Sequence, residues 1–210
     1  MNQLPAFIRQ HIAALRAVLI FTVALGIVYP AVMAGIGQLA FRNQANGSMV
    51  SYNGKVAGSS LLCQEFTDAK GSPLPQYFQE RASNAANSAD KTDYGCDPGF
   101  SAASNLGPNS PALLQDVQQR RAAIATFNGV APSQVPPDAV TASGSGLDPD
   151  ISPQYADIQV KRVAAARDLP AATVQGLVGK YTQGRTIGFL GEPRVDVLDL
   201  NIALDELSAK

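Results

Sequence analysis

An uncharged, apolar run near the N-terminus is the strongest pattern in the 210-residue chain. No charged residue lies between Arg16 and Arg42, and residues 17–41 read AVLIFTVALGIVYPAVMAGIGQLAF. As a helix this run would reach about 37 Å, whereas the hydrocarbon core of a bilayer is about 30 Å thick. It therefore predicts a transmembrane helix at 17–41, between a cytoplasmic N-terminus at 1–16 and an extracytoplasmic soluble domain at 42–210.

A cleaved signal peptide is the alternative interpretation of the same run. Val32-Met33-Ala34 resembles the small-residue pattern that precedes a cleavage site. The run is longer than the roughly 7–15 residues of a signal core and continues past that site to Phe41, which favours a retained anchor. Arg9 and Arg16 favour a cytoplasmic N-terminus. Both interpretations place the C-terminal domain outside the cytoplasm.

A proline within the predicted span indicates that the helix packs against protein. Pro30 removes one backbone hydrogen bond, which neighbouring helices can compensate in lipid. Small residues around it would let another helix approach closely. We therefore predict partner contacts in the membrane at Gly26, Tyr29, Pro30 and Ala34. The alternative is that Gly and Pro are simply common in membrane helices.

The first part of the soluble domain shows weak strand signals and then an irregular composition. Apolar residues at 49–50, 56 and 61–62 predict two short strands around the turn Asn53-Gly54. Residues 68–109 are rich in Ser, Asn, Gly, Pro and Ala. Such a long irregular segment is typical of functional or disordered chain.

Helical patterns dominate the rest of the chain. Apolar spacing and end signals predict helices at 111–128, 153–167 and 170–182, with a loop at 135–150 between the first two. A strand at 194–198 and a short helix with Leu200, Leu204 and Leu207 are predicted to follow. The fold class is therefore α+β, with one N-terminal transmembrane helix followed by a single extracytoplasmic domain.

Charge and histidine content restrict the chemistry of the soluble domain. The only histidine is His11, which precedes the span, so the domain has no imidazole for a catalytic triad or a His-containing zinc site. Residues 65–210 hold all 17 acidic residues and 12 basic ones, a net charge of −5, which argues against binding nucleic acid. Asp148 and Asp150 could form a carboxylate pair, but Asp is common in turns, which favours solvated loop acids.

Two cysteines lie beyond the span, Cys63 and Cys96. In an oxidising compartment a disulfide between them is expected to stabilise the domain by about 3–4 kcal/mol. Two separate thiols are the alternative, because a bridge requires a Cα separation of roughly 4.4–6.8 Å that sequence alone does not provide.

Short motifs also follow one another in order along the whole chain. They are Gln44-Ala45-Asn46-Gly47-Ser48, Gly58-Ser59-Ser60-Leu61, Tyr77-Phe78 with Arg81 and Ser83, Ser104-Asn105-Leu106-Gly107-Pro108, Val140-Thr141-Ala142-Ser143-Gly144-Ser145-Gly146-Leu147-Asp148, Ile151-Ser152-Pro153, Arg162-Val163-Ala164 and Gly191-Glu192-Pro193. Through these motifs the chain resembles the C subunit of the bacterial Kdp potassium-transporting P-type ATPase, the KdpC family. It departs from the family pattern at Gln79 and Ala82, where the family usually has His and Pro.

The resemblance implies an accessory subunit of a high-affinity, ATP-driven potassium uptake complex in the bacterial inner membrane, with a periplasmic C-terminal domain. The implied partners are the potassium-conducting subunit, the P-type ATPase subunit and membrane lipid, and no nucleic acid. Members are described as assisting assembly and as catalytic chaperones that raise the ATP affinity of the ATP-hydrolysing subunit. ATP is therefore implied as a ligand, although the chain contains no nucleotide-binding motif.

No catalytic or metal-binding residue is predicted for the chain. The motif residues predicted to contact partners in the soluble domain are Asn46, Arg81, Ser104, Asn105, Thr141, Ser143, Leu147 and Asp148. The residues alone also leave open a membrane-tethered extracytoplasmic hydrolase or a ligand-binding domain.

Overall fold

The computed structural model describes residues 5–86 and 95–208, and the chain divides into two compact units, Met1–Ser48 and Met49–Lys210. Within the described residues, one helix is long and apolar enough to cross a membrane, and it precedes a domain of mixed helices and strands. The α+β class predicted from the sequence is therefore confirmed.

The first unit is a long helix followed by a single helical turn. The helix, Ala6–Ala40, has 35 residues and contains the whole predicted span except Phe41. It comprises α1 (Ala6–Val23), a π-helical turn (Ala24–Val28) and α2 (Tyr29–Ala40), and α3 (Arg42–Ala45) follows it. None of its side chains is buried within the structure. An apolar helix in this state requires lipid or other helices around it.

The π-helical turn explains how the helix accommodates Pro30. In a regular α-helix the proline ring collides with the carbonyl four residues earlier, here that of Gly26, and proline has no N–H to donate. In the structure the Tyr29 N–H donates to the Ala24 carbonyl, five residues earlier. This wider turn lies directly before the proline, so the helix continues through it.

The second unit begins with the predicted hairpin. Strands β1 (Met49–Tyr52) and β2 (Lys55–Ser59) pair antiparallel around Asn53 and Gly54, whose φ angles are +49° and +75°. Positive φ at both central residues is the geometry that Asn-Gly favours in a two-residue turn. The apolar pair at 61–62 was expected in the second strand, but it lies beyond Ser59, where β2 ends.

Helices form most of the remaining unit. Within residues 95–208 the elements are α4 (Pro111–Asn128), a 3₁₀ turn (Pro132–Gln134), α5 (Pro137–Val140), β3 (Asp150–Ile151), α6 (Pro153–Ala166), α7 (Ala171–Tyr181), β4 (Thr182–Gln183), β5 (Arg194–Asp196) and α8 (Val197–Ser208). The three strands pair antiparallel in the order β3-β5-β4.

The predicted helices α4, α6 and α7 are confirmed to within a residue at each end. Gly129 ends α4 at φ +63°, a conformation that glycine adopts easily. The Ser152 hydroxyl begins α6 by accepting the Tyr155 N–H at 3.0 Å. Their end signals are local in sequence, which explains the agreement.

Two other predictions were wrong in part. The interval 135–150 was expected to be a loop but contains α5, which starts at the first-turn proline Pro137, and ends at β3. The strand expected at 194–198 stops at Asp196. The carboxylate of Asp196 accepts the Asp199 N–H at 2.8 Å and thereby begins α8.

The hydrophobic core lies between α6, α7, α8 and the three-stranded sheet. Its largest fully buried apolar side chains are Val140, Val163, Val174, Val178, Val195, Val197, Leu200 and Leu204, together with Phe78. Phe78 comes from the irregular segment rather than from a helix or strand, so that segment is part of the core.

Two buried amides hold the irregular segment at Phe78 and Gln79. Asn201 of α8 accepts the Phe78 N–H at 2.8 Å and donates to the Phe78 carbonyl at 3.0 Å. Gln159 of α6 does the same for Gln79, at 2.7 and 3.1 Å. Each side chain thus replaces one partner residue of a β-ladder and satisfies backbone groups that would otherwise be buried without a partner.

Two arginines hold the residues just before this point. Arg162 of α6 donates to the Tyr77 carbonyl at 2.9 Å, and burial lowers the pKa of Arg162 to about 10, so it is charged at neutral pH. Arg167 donates to the Gln76 carbonyl at 2.6 Å and forms an ion pair with Asp205 at 2.7 Å. These contacts fix the path of the chain without secondary structure.

Cys63 and Cys96 form a disulfide with a Cα separation of 5.5 Å. The bond closes a loop from Cys63 to Cys96 that contains most of the irregular segment. Residues 87–94 of this loop lie outside the described part of the chain.

We predict that the double substitution Cys63→Ser/Cys96→Ser lowers the free energy of unfolding by about 3–4 kcal/mol, because the unfolded chain loses its cross-link. Urea unfolding of the full chain in detergent measures this difference, and reduced wild-type protein serves as the control. Two thiols alkylated without reductant, or equal stability of all three samples, would contradict the bridge.

Candidate functional site

A polar cleft of about 390 Å³ brings together four separate stretches of the second unit. We call it the motif cleft, because most of its residues belong to the sequence motifs above. It is lined by Arg81, Asp138, Asp148, Asp150, Ile151, Ser152, Glu192, Pro193 and Arg194. Motifs that are distant in sequence thus form one surface, which makes the cleft the candidate functional site.

Arg81 connects two of these stretches. Its Nη1 donates to Asp148 Oδ2 at 2.7 Å, and its Nε and Nη2 donate to the Thr141 carbonyl at 3.3 and 3.1 Å. Both partners of the ion pair are partly buried, so water screens them less than it screens an exposed pair. Three of the predicted contact residues, Arg81, Thr141 and Asp148, therefore meet at one point.

The motif between Thr141 and Asp148 packs largely through its backbone. The Ser83 hydroxyl donates to the Gly146 carbonyl at 2.6 Å, and the Leu147 carbonyl accepts the Cys63 N–H at 3.1 Å. Gly146 has φ +73°, and a Cβ at this position would lie 2.5 Å from the Ala102 carbonyl oxygen. Only glycine fits here. The motif thus ties the cleft to the disulfide region.

A second ion pair borders the cleft on the sheet side. Arg194 Nε lies 3.0 Å from Asp150 Oδ2, and the Asp150 N–H donates to Asp148 Oδ1 at 3.1 Å. The turn expected from these two acids is present, but both carboxylates also pair with arginines. The N-terminus of α6 involves a different acid, since Asp138 accepts the Ser152 N–H and hydroxyl, both at 2.9 Å.

Two more carboxyl groups lie near the ion-paired acids. The Oε2 atom of Glu80 is buried with no hydrogen-bond partner among the described residues. Burial, reinforced by the charges of Asp196, Asp148 and Asp150, raises the pKa of Glu80 well above its ordinary value. Asp196 is only 5% exposed, and burial raises its pKa to about 7. The raised pKa of each group favours its neutral form, which reduces the negative charge beside the cleft.

The cleft is suited to polar contact with another molecule. Its arginines and carboxylates are fixed by one another and leave their outer atoms partly exposed. In residues 5–86 and 95–208, no group of three or more His, Cys, Asp or Glu side chains is arranged to hold a metal ion. Mixed charges with fixed geometry are typical of the polar parts of protein interfaces.

Other predicted contact residues lie apart from the motif cleft. In the first unit, the Asn46 amide pairs reciprocally with the Gln38 amide, at 3.1 and 3.3 Å. Gly26, Pro30 and Ala34 follow one another at four-residue spacing, which places them on one side of the long helix, and Tyr29 is adjacent. All four are exposed in the structure.

Three more of the predicted contact residues do not line the motif cleft. Ser143 is buried, with its hydroxyl 3.5 Å from that of Ser145. Ser104 and Asn105 belong to the segment before α4 and do not line the cleft. The Asn105 side chain donates to the nearby Ala103 carbonyl at 3.4 Å.

Several cleft residues were not predicted as site residues. Ser152, Glu192 and Pro193 belong to motifs noted in the sequence, so membership of a motif could have identified them. Asp138 and Arg194 carried no sequence signal. Asp138 follows two prolines like any turn acid, and only the pairing of β3 with β5 brings Arg194 to Asp150.

Comparison with known proteins gives a consistent result. The family model described as KdpC: K+-transporting ATPase, c chain, matches residues 11–206. A protein of Streptomyces coelicolor is 49% identical over 213 residues, covering 96% of this chain and 94% of its own. One of Paraburkholderia phytofirmans is 50% identical over 188 residues, covering 90% and 92%. Both relatives are named Potassium-transporting ATPase KdpC subunit.

We predict a coupling free energy of about 1 kcal/mol between Arg81 and Asp148, because their ion pair is short and partly buried. Urea unfolding of Arg81→Gln, Asp148→Asn and the double variant measures it as a double-mutant cycle. Arg185 and Glu192 form a similarly short but exposed pair and provide the matched control cycle, with a smaller expected value. Additive effects at Arg81 and Asp148 would contradict the prediction.

We expect the stability of the wild-type chain to fall as pH rises from about 4 to about 8, and we predict that Asp196→Asn abolishes this fall. The pKa of Asp196 is about 7 in the folded state and about 3.9 when unfolded, so the folded state binds the proton more tightly and stability falls as pH rises. The variant should therefore be more stable than wild type at pH 8, by up to about 4 kcal/mol. An amide oxygen can still accept the Asp199 N–H.

Thermal unfolding of the full chain in detergent at several pH values measures this difference. Asp157→Asn is the control, since Asp157 is an exposed acid on α6. Parallel stability curves for wild type and Asp196→Asn across this pH range would show that Asp196 titrates normally.

Proposed function

Because this chain belongs to the KdpC family of K+-transporting ATPase c chains, we propose that it is an accessory, non-catalytic subunit of a high-affinity, ATP-driven potassium uptake complex. In this proposal it helps to assemble and stabilise the complex. Its partners are the potassium-conducting subunit and the P-type ATPase subunit, and its helix lies in the cell membrane.

The observation that carries the proposal is the unburied apolar helix. All 35 residues of Ala6–Ala40 lack burial inside the chain, although most are apolar. A helix of this kind is stable only where lipid or other helices cover it. Gly26, Pro30 and Ala34, on one side, offer a surface against which another helix can pack closely.

We further propose that the second unit lies on the extracytoplasmic side. Arg9 and Arg16 precede the apolar run, and positive residues favour the cytoplasmic side. The Cys63–Cys96 disulfide supports the same orientation independently, because disulfides persist in oxidising compartments. In a bacterium with an outer membrane this compartment is the periplasm.

This orientation limits how the subunit can act as a catalytic chaperone. A second unit outside the cytoplasm is separated from cytoplasmic ATP, so we propose that ATP is not its ligand. An increase in the ATP affinity of the ATP-hydrolysing subunit would then be transmitted through the membrane helix and through contacts at the motif cleft. The short Arg81–Asp148 and Arg194–Asp150 pairs provide a rigid surface for such contacts.

The motif cleft gives no specific support to the alternative of a tethered hydrolase. Its Asp148 and Asp150 carboxylates each form an ion pair with an arginine and are therefore engaged within the chain, which does not favour a catalytic role. A contact surface is the simpler function for a site in which each arginine is already paired with an aspartate.

We predict that deleting residues 1–41 leaves a folded second unit that no longer joins the complex. Co-purification with the other subunits, after co-expression, should fall at least about tenfold, because the membrane contacts are lost. A chain whose residues 17–40 are replaced by an unrelated apolar helix is the matched control for membrane attachment alone.

Transport at limiting potassium and the KM for ATP of each purified assembly complete this experiment. We expect the replacement chain to reach the membrane but to restore assembly only in part, since it lacks the Gly26 side of the helix. Full co-purification of the chain without residues 1–41 would refute the membrane contact.

A further inference from the structure

Three consecutive carbonyl groups just before Asp148 accept hydrogen bonds from distant parts of the chain. The interval between α5 and β3 contains no helix or strand, so these carbonyls have no ladder of their own. The acceptors are residues 145, 146 and 147, and their donors are the Ala102 N–H at 2.9 Å, the Ser83 hydroxyl at 2.6 Å and the Cys63 N–H at 3.1 Å. We call residues 145–147 the carbonyl segment.

The disulfide connects these donors covalently. It joins Cys63, which is itself one of the donors, to Cys96. The Cys96 N–H donates to the Ser83 hydroxyl oxygen at 3.0 Å, and that hydroxyl donates in turn to the Gly146 carbonyl. The third donor, Ala102, follows Cys96 by six residues. One covalent bond therefore gathers all three donors around the carbonyl segment.

The motif cleft depends on the residues that flank the carbonyl segment. Arg81 donates to the Thr141 carbonyl at 3.1 Å and to the Asp148 carboxylate at 2.7 Å. Asp148 directly follows the carbonyl segment, so the hydrogen bonds of that segment fix its backbone. A displacement of about 1 Å would be enough to break a charge-assisted hydrogen bond of this length.

We propose that the oxidation state of Cys63 and Cys96 controls the motif cleft and, through the cleft, the entry of this chain into the complex. This inference rests on the proposed function. In the oxidised chain the disulfide keeps the carbonyl segment in place, so that Arg81 bridges Thr141 and Asp148. In the dithiol chain the donors separate, the bridge is lost, and the chain does not join the other subunits.

The oxidant for this step is a second disulfide in the extracytoplasmic compartment. The thiolate of one cysteine attacks the incoming disulfide and forms a mixed disulfide, and the thiolate of the other cysteine then attacks the sulfur of the first. The Cys63–Cys96 bond forms, and the S–S bond of the oxidant breaks. The chain loses two electrons and two protons, which the oxidant takes up as two thiols.

Burial fixes the oxidation state when the chain folds. Cys63 is 2% exposed and Cys96 is 8% exposed, so a thiol reagent has little access to either residue of the folded chain. Oxidation must therefore precede the packing of the carbonyl segment. A chain whose second unit is still in the reducing cytoplasm would remain a dithiol, which would restrict assembly to exported chains.

A comparison of refolded chains tests the proposal directly. The full chain is unfolded and reduced in urea, and is then refolded in detergent with either oxidised glutathione or dithiothreitol. Each product is mixed with complex purified without this chain. We expect the oxidised product to co-purify and the dithiol product to bind at least about tenfold less. Equal binding of the two products would overturn the proposal.

Two variants separate the effect on the cleft from a general loss of stability. Cys63→Ser/Cys96→Ser should bind as weakly as the dithiol product, whichever reagent is present. Val174→Ala removes a fully buried side chain of α7 and keeps the disulfide, so it lowers stability without releasing the carbonyl segment. We expect it to bind like wild type at a temperature at which circular dichroism shows all samples folded. Weak binding of Val174→Ala would show that stability alone limits assembly, and would overturn the proposal.

The cleft itself gives a second measurement that does not involve the other subunits. The double-mutant cycle of Arg81 and Asp148 is repeated in the chain with both cysteines replaced by serine. We expect their coupling to fall from about fivefold to below about twofold, while the coupling of Arg185 and Glu192 stays the same. A disulfide that only stabilises the unit would leave both couplings unchanged, and that result would contradict its control of the cleft.

The two proposals can fail separately. If the oxidised wild-type chain does not bind the complex, the proposed function fails, whereas the coupling measurement still tests the role of the disulfide. If the oxidised and dithiol chains bind equally well, only the proposal for the disulfide fails.

Discussion

The second unit depends on the satisfaction of backbone groups in a buried segment that has no regular secondary structure. Phe78 lies in the core, so the N–H and carbonyl groups beside it are out of reach of water. Asn201 and Gln159 supply their partners from α8 and α6. Because these amides fix Phe78 and Gln79, they also fix the position of Arg81, which bridges the motif cleft two residues later.

The arginines of the motif cleft also have their partners within the chain. Arg81 and Arg194 pair with Asp148 and Asp150 at the cleft. Asp196, which faces less water, has a raised pKa because burial disfavours its charged form. The cleft contains two arginines and four acidic side chains, and its two ion pairs hold these groups in a fixed geometry.

The sequence predicted the features whose causes are local. The helix α4 could be located from Pro111 and Gly129, and the first hairpin from Asn53-Gly54, because cap and turn chemistry act over a few residues. The contact between Arg81 and Thr141 was not predictable, although both were among the predicted contact residues. It depends on the path that the irregular segment takes through the fold, for which the sequence carries no local signal. Strands of two residues, such as β3, leave no periodic pattern to detect.

The connection between the two units has a consequence for how strongly the subunit must bind. Only eight residues, 41–48, separate the last residue of α2 from the first residue of β1. They can span at most about 28 Å. For a helix that packs against a partner in the membrane, this short connection would keep the second unit near the same partner, at an effective concentration in the millimolar range. Under that condition, individually weak contacts of the second unit would be sufficient for assembly.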